Sequence, residues 1–151
     1  MTANKIYYGL MIVNLLFGEI ILFNIKSDWL LHLSFSTSAI FIFTFFKKSI
    51  DHPQNKASEC FFYGPIISCL IALCGFFLVF FGMSISDFSF HGVWALILHI
   101  FKNIFISLVG ALLGSIFAGW FIAFFIVINT IGLFLYYKIM LKNSAHNHNK
   151  V

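Results

Sequence analysis

Three apolar runs of membrane-crossing length follow one another within the first 85 residues, separated only by one tight polar turn and one longer polar loop. A helix needs about 20 apolar residues to cross roughly 30 Å of hydrocarbon. Residues 6–25 meet that requirement, interrupted by Asn14, Glu19 and Asn24. Lys26-Ser27-Asp28 forms the turn, and residues 29–46 make a second span with Trp29 as an interfacial anchor. Residues 47–59, with Pro53 among them, read as a loop, and residues 60–85 as the third span, with Pro65 in its first turns. Such a chain folds as an all-α integral membrane protein. With 61% apolar and 9% charged residues, it leaves little for a soluble exterior, where about 25% charged residues is usual. A soluble enzyme, a nucleic-acid module and a disordered chain are therefore poor descriptions of it.

The remaining apolar stretch, Val93 to Tyr137, covers 45 residues and is broken chiefly by His99, Lys102 and Asn103. It suits either one long span with an interfacial piece or a hairpin of two spans. The lysines choose between them. With four spans, Lys5, Lys47, Lys48, Lys56, Lys138, Lys142 and Lys150 share one side, leaving only Lys26 and Lys102 opposite. The positive-inside bias then predicts a four-helix bundle in a bacterial inner (cytoplasmic) membrane, with both termini cytoplasmic. Residues 104–137 form its last span, residues 93–103 a short helical segment on the outer face or the top of that span, and residues 143–151 a flexible tail. The whole chain is one membrane domain. The absence of Arg and the 22 Phe fit an AT-rich coding bias of bacterial or phage origin. Cys60, Cys69 and Cys74 lie on one apolar stretch and read as small packed residues, with no metal or disulfide spacing.

Small residues pattern the last span. Ser107, Ala111, Ser115, Gly119 and Ala123 recur every four positions, and Gly110, Gly114 and Ala118 form a row beside them. Such rows let helices approach closely in lipid. They serve either the bundle itself or docking of another membrane protein.

Glu19 is the one acid well inside a span, where an ionisable side chain marks a functional position by default. Asn24, His32, His99, Lys102 and Asn103 fall at similar or shallower depth, so a polar cluster near the outer face is expected, with Glu19 paired to Lys102 or a histidine. His99, Lys102 and Asn103 share one helix face. A structural role, with Glu19 paired or bonded as a protonated carboxyl to Asn14, stands beside partner recognition and a proton or ion relay. No catalytic motif, metal-ligand pattern or cofactor fingerprint is visible. The tail pair His146 and His148 reads as incidental.

One stretch carries a resemblance. Ser38-Ala-Ile-Phe-Ile-Phe-Thr44 runs into Lys47-Lys48, then a loop with Pro53, then Cys60-Phe-Phe-Tyr-Gly-Pro-Ile66 and a long apolar span. Over about residues 36–105 this order resembles the immunity proteins against pore-forming colicins of the colicin A type. The resemblance implies a four-span inner-membrane protein that binds the helices of an inserting toxin and keeps its pore closed. The chain departs from that pattern between its first two spans, where three residues stand in place of a longer outer segment. An accessory or assembly subunit of a larger membrane complex, and a small transporter or channel component using Glu19, are the competing expectations. The expected partners are the lipid bilayer and another membrane-inserted protein, a pore-forming toxin domain or a complex subunit; neither nucleic acid nor a cofactor is called for, and no enzymatic role.

Overall fold

The computed structural model describes residues 3–24, 28–51, 57–86 and 92–148, and folds them into five α-helices. These are α1 (Ala3–Asn24), α2 (Trp29–Ile50), α3 (Ala57–Ser86), α4 (Val93–Phe117) and α5 (Gly119–His148). Each contains a stretch long and apolar enough to cross a membrane, from 20 residues in α1 to 25 in α4. In lipid every backbone donor and acceptor must be satisfied within the segment, which the helix does and an irregular chain does not.

Contacts fix the direction of each helix. Lys5, Lys47 and Lys138 mark one end of the molecule, here termed the basic end. α1 leaves it, α2 returns to it (Lys47 Nζ donates to Asn4 Oδ1 at 3.0 Å), and α3 leaves it again, with Phe46 of α2 against Tyr63 near the start of α3. α4 descends along the far half of α3, its Gly110 facing Phe80 and its Gly114 facing Phe76. α5 continues in the same sense. It places Phe17 of α1 beside Phe124, Asn14 beside Asn129 and Tyr7 beside Tyr136, and its Phe134 reaches Phe61 of α3. α1, α2, α3 and α5 thus close a ring in which every neighbour is antiparallel. α4 lies outside the ring, against α3, and meets α5 only around their junction.

That junction is a single residue. Ala118, at φ −83° and ψ 9°, departs from helical geometry, yet its N–H still reaches Gly114 O and its carbonyl still accepts from Ile122 N at 3.1 Å. Phe121 N donates to the same carbonyl at 2.9 Å, so the helical pattern is interrupted at this one residue and resumes directly after it. Gly92 opens α4 at φ +109°, a backbone conformation glycine alone adopts without strain.

Four sequence boundaries need correction. Helix α4 runs unbroken across residues 103 and 104, so 93–103 is its first turns and not a separate segment, and the break falls at Ala118. The expected single span 104–137 is therefore split between two helices, and the helix count is five. Residues 47–50 extend α2 and 57–59 begin α3, shortening the expected 47–59 loop at both ends. Residues 143–148, expected as tail, prolong α5, because no Pro or Gly follows Gly132 to stop it. The turn at residues 26–27 and the middle of the loop, Pro53 and Lys56 included, lie outside the described residues, as do residues 149–151.

Packing is uneven along the bundle. The large buried side chains, Tyr7, Leu10, Ile42, Phe43, Ile50, Ile67, Leu133 and Tyr136, form one cluster in the basic half. The far half buries Leu22 and Val79 and otherwise mainly small groups: Ser34, Ala39, Ala72, Ser107 and Ala111. α1 and α4 make no close approach there, which leaves that half open on one side.

Candidate functional site

Polar groups inside an apolar bundle are costly unless paired, so they show where the fold has made special provision. Three layers of them lie along the axis. At the basic end Tyr136 donates to Asp51 Oδ1, Lys47 Nζ lies 2.8 Å from Asp51 Oδ2, and Tyr7 donates to Phe43 O at 2.5 Å. Lys47 Nζ also sits 5.2 Å from the Tyr7 ring centre, within cation–π range.

In the middle, a relay of donors ties three helices together. Asn14 Nδ2 donates to Asn129 Oδ1 at 2.6 Å, Asn129 Nδ2 to Ser68 Oγ at 2.8 Å, and Ser68 Oγ to Gly64 O at 2.9 Å. Asn129 is fully buried. Gly64 is what lets α5 come this near, since a Cβ there would meet Thr130 backbone atoms at 2.8 Å. Between this layer and the basic end, Leu10, Ile67 and Leu133 belong to a buried apolar cluster that acts as a plug.

The third layer holds Glu19. His32 Nδ1 lies 2.5 Å from Glu19 Oε2, and Ser36 Oγ donates to Glu19 Oε1. His32 and Ser36 are i and i+4 on α2, so they present one face to α1. An ionised carboxylate accepts from both, and the imidazole then carries its proton on Nδ1. The Glu19 side chain nevertheless keeps 41% of its surface open. It faces a cavity bounded by α1, α2, α3 and the α4–α5 junction, lined by Asn14, Gly18, Phe35, Ala118, Phe121 and Phe125 among others.

The expected polar cluster is divided by this geometry. Glu19 and His32 come together, with Ser36 as an additional member. His99, Lys102 and Asn103 sit on α4, which α1 does not approach, so Lys102 is not the partner of Glu19. Lys102 is exposed, His99 partly so, and Asn103 is buried at 4% exposure on the face toward α3. Asn24 ends α1, and its side chain lies outside the described residues. Asn14 is committed to Asn129 and to Leu10 O, and not to Glu19.

The small-residue rows also divide. Ser107, Gly110, Ala111 and Gly114 face α3, with Ser107 and Ala111 buried. Ser115 has a buried hydroxyl without a partner among the described residues. Ala118 forms the break and lines the cavity, and Gly119 and Ala123 are exposed. Sequence reasoning passed over Ser36, Ser68 and Asn129. For Asn129 a signal existed: an amide in the middle of an apolar run needs a partner in lipid. Ser36 and Ser68 gave none, because serine bonds to its own helix as readily as across a bundle.

Compared with known proteins, the chain matches no family model, no curated protein and no solved structure.

Proposed function

We propose that this chain is a multi-pass protein of the bacterial inner membrane that binds another membrane-inserted protein, acting as an immunity protein against a pore-forming bacteriocin. The observation that carries the reading is the unclosed far half of the bundle. There α4 is seated on α3 along one flank only, and its other faces carry Trp94, Leu98, Phe101, Phe105, Leu112 and Ile116, all exposed. A bundle needing only lipid around it has no reason to leave an open wedge beside α1. A toxin helix lying in the membrane has the shape and apolarity to occupy it. Binding only a closed state of the toxin shifts the pore equilibrium by the difference in affinity, and no chemistry is needed.

The topology that goes with this reading has four crossings. α4 and the apolar part of α5 together span 50 residues, roughly 75 Å of helix at ~1.5 Å per residue, against ~30 Å of hydrocarbon. Both run in the same direction along α3, so they share a single crossing, with the first turns of α4 at the outer boundary and Trp94 as an anchor. α1, α2 and α3 make the other three. Both termini and the lysine-rich end then face the cytoplasm. The relay alternative is weakened by the apolar plug of Leu10, Ile67 and Leu133, which separates Glu19 from the polar groups at the basic end.

The test is rescue. Sensitive cells expressing this chain should survive one cognate pore-forming bacteriocin and die from others. Expression confirmed in the membrane with no protection against any pore-former, the product of a neighbouring toxin gene included, would defeat the proposal.

A further inference from the structure

The cavity beneath Glu19 continues into a second one. Gly18, Leu22, Phe35, Ala118, Phe121 and Phe125 line both, so the two are adjoining chambers. The first, about 80 Å³, has Glu19 in an otherwise mainly apolar wall. The second, about 160 Å³, adds Ile21, Leu31 and Phe76 and has no polar lining. A dry apolar cavity of about 150 Å³ accepts a benzene ring. The second chamber is therefore sized for one aromatic ring.

The first chamber suits a cation. Ser36 and His32 each donate to one oxygen of Glu19, using about two of the roughly four acceptor positions of a carboxylate. Glu19 shares the cavity wall with Phe35, Phe121 and Phe125, whose π systems attract positive charge. A quaternary ammonium has no N–H to compete with Ser36 or His32 for the carboxylate. It also loses less hydration than a primary amine on entering such a site. The open flank between α1 and α4 gives access from the lipid side.

We propose that the paired chambers form a binding site for an arylalkyl quaternary ammonium, its single ring in the apolar chamber and its cationic head against Glu19. The chambers open onto the wedge assigned above to a toxin helix, but the proposal does not rest on that reading, and its test uses this protein alone.

Benzyltrimethylammonium and its uncharged isostere neopentylbenzene are the probes. Binding to the full-length protein in detergent is measured by equilibrium dialysis against protein-free micelles, which removes the contribution of partitioning. The cation should bind the protein more tightly than the isostere by roughly tenfold or more, given an ion pair and ring contacts in a poorly hydrated site. Glu19→Gln keeps the shape and the Ser36 contact and should abolish that preference while leaving neopentylbenzene unaffected. Gly18→Leu should abolish binding of both, because a Cβ at Gly18 has nothing within 4 Å and the larger side chain enters the chambers without disturbing a neighbour. Equal binding of the two probes, no binding of either, or an unaltered preference in Glu19→Gln would each overturn the proposal. Should Glu19→Gln fail to fold, the comparison of the two probes on the unaltered protein, with Gly18→Leu locating the site, still decides it.

Discussion

Asn14 and Asn129 stand 115 positions apart in sequence and 2.6 Å apart in the fold. Each alone is a polar group in hydrocarbon; together with Ser68 they give α1, α3 and α5 a fixed register. Hydrogen bonds of this kind in membrane proteins average about 0.6 kcal/mol, with a maximum of about 1.7. Asn129 makes two such bonds, so Asn129→Leu should destabilise the protein by roughly 1–2 kcal/mol in a reversible unfolding titration in mixed micelles. Asn14→Leu removes one bond between helices, together with a bond to Leu10 O of its own helix, and should cost less. The double variant should cost less than the two losses added, because each single change strands the partner's amide. Strict additivity would mean that the contact carries no coupling. This layer was only half legible beforehand. Asn14 was conspicuous in its run, but its partner could not be named without knowing which helices adjoin, and Glu19 beside it offered a plausible but unrealised alternative.

At the scale of the helix, close approach is decided by glycine, and the consequences can be ranked. A Cβ at Gly64 would strike the backbone of Thr130, which cannot swing aside. At Gly110 and Gly114 it would strike the rings of Phe80 and Phe76, at 2.6 and 2.8 Å, which can rotate in part. At Gly119 nothing lies within 4 Å. Gly64→Ala should therefore be the most damaging, by about 3 kcal/mol on the upper side of overpacking costs. Gly110→Ala and Gly114→Ala should cost about 1–2 kcal/mol, and Gly119→Ala should be neutral or gain up to ~1 kcal/mol from helix propensity. The same unfolding titration reads all four, and Gly119→Ala proving the worst would refute this account of the contacts. The rows of small residues were plain in the sequence as a packing face. Which neighbour each row met was not, because two interleaved rows on one helix look equally suited to any partner. The break at Ala118 was invisible for a related reason. No proline marks it, Ala118-Gly119 resembles the flanking small-residue pattern, and one residue near ψ 9° suffices to interrupt the helix. The starts of α1, α2 and α3 were recovered to within about three residues because polar residues punctuate them. No such punctuation separates α4 from α5.

The whole molecule raises a question of parity. Five helices pass the test of length and apolarity, and five independent crossings would put the chain ends on opposite sides of the membrane. The four-crossing topology proposed above is consistent with the interior contacts. α4 meets α3 at Phe80 and Phe76, and α5 meets it further along at Ser68, Gly64 and Phe61, always in the same sense. A hairpin would instead bring α4 and α5 back alongside each other over most of their length, whereas they meet only near Ala118. Charge points the same way. Lys5, Lys47, Lys48, Lys138 and Lys142 gather at one end of the bundle when α4 and α5 count as one pass, and under the proposed topology that end faces the cytoplasm. A fluorescent protein fused after Val151 should therefore glow, and alkaline phosphatase at the same place should be inactive. The same phosphatase inserted directly before Gly92 should be active, since the start of α4 lies at the far end. The decisive comparison is a cysteine placed at Gly119, tested with a membrane-impermeant maleimide on intact cells. If α4 and α5 each crossed the bilayer, this junction would be a surface loop and would label quickly from the side it faces. In a single bent crossing it lies at mid-depth beside the lipid, and it should stay unlabelled from either side until the membrane is dissolved.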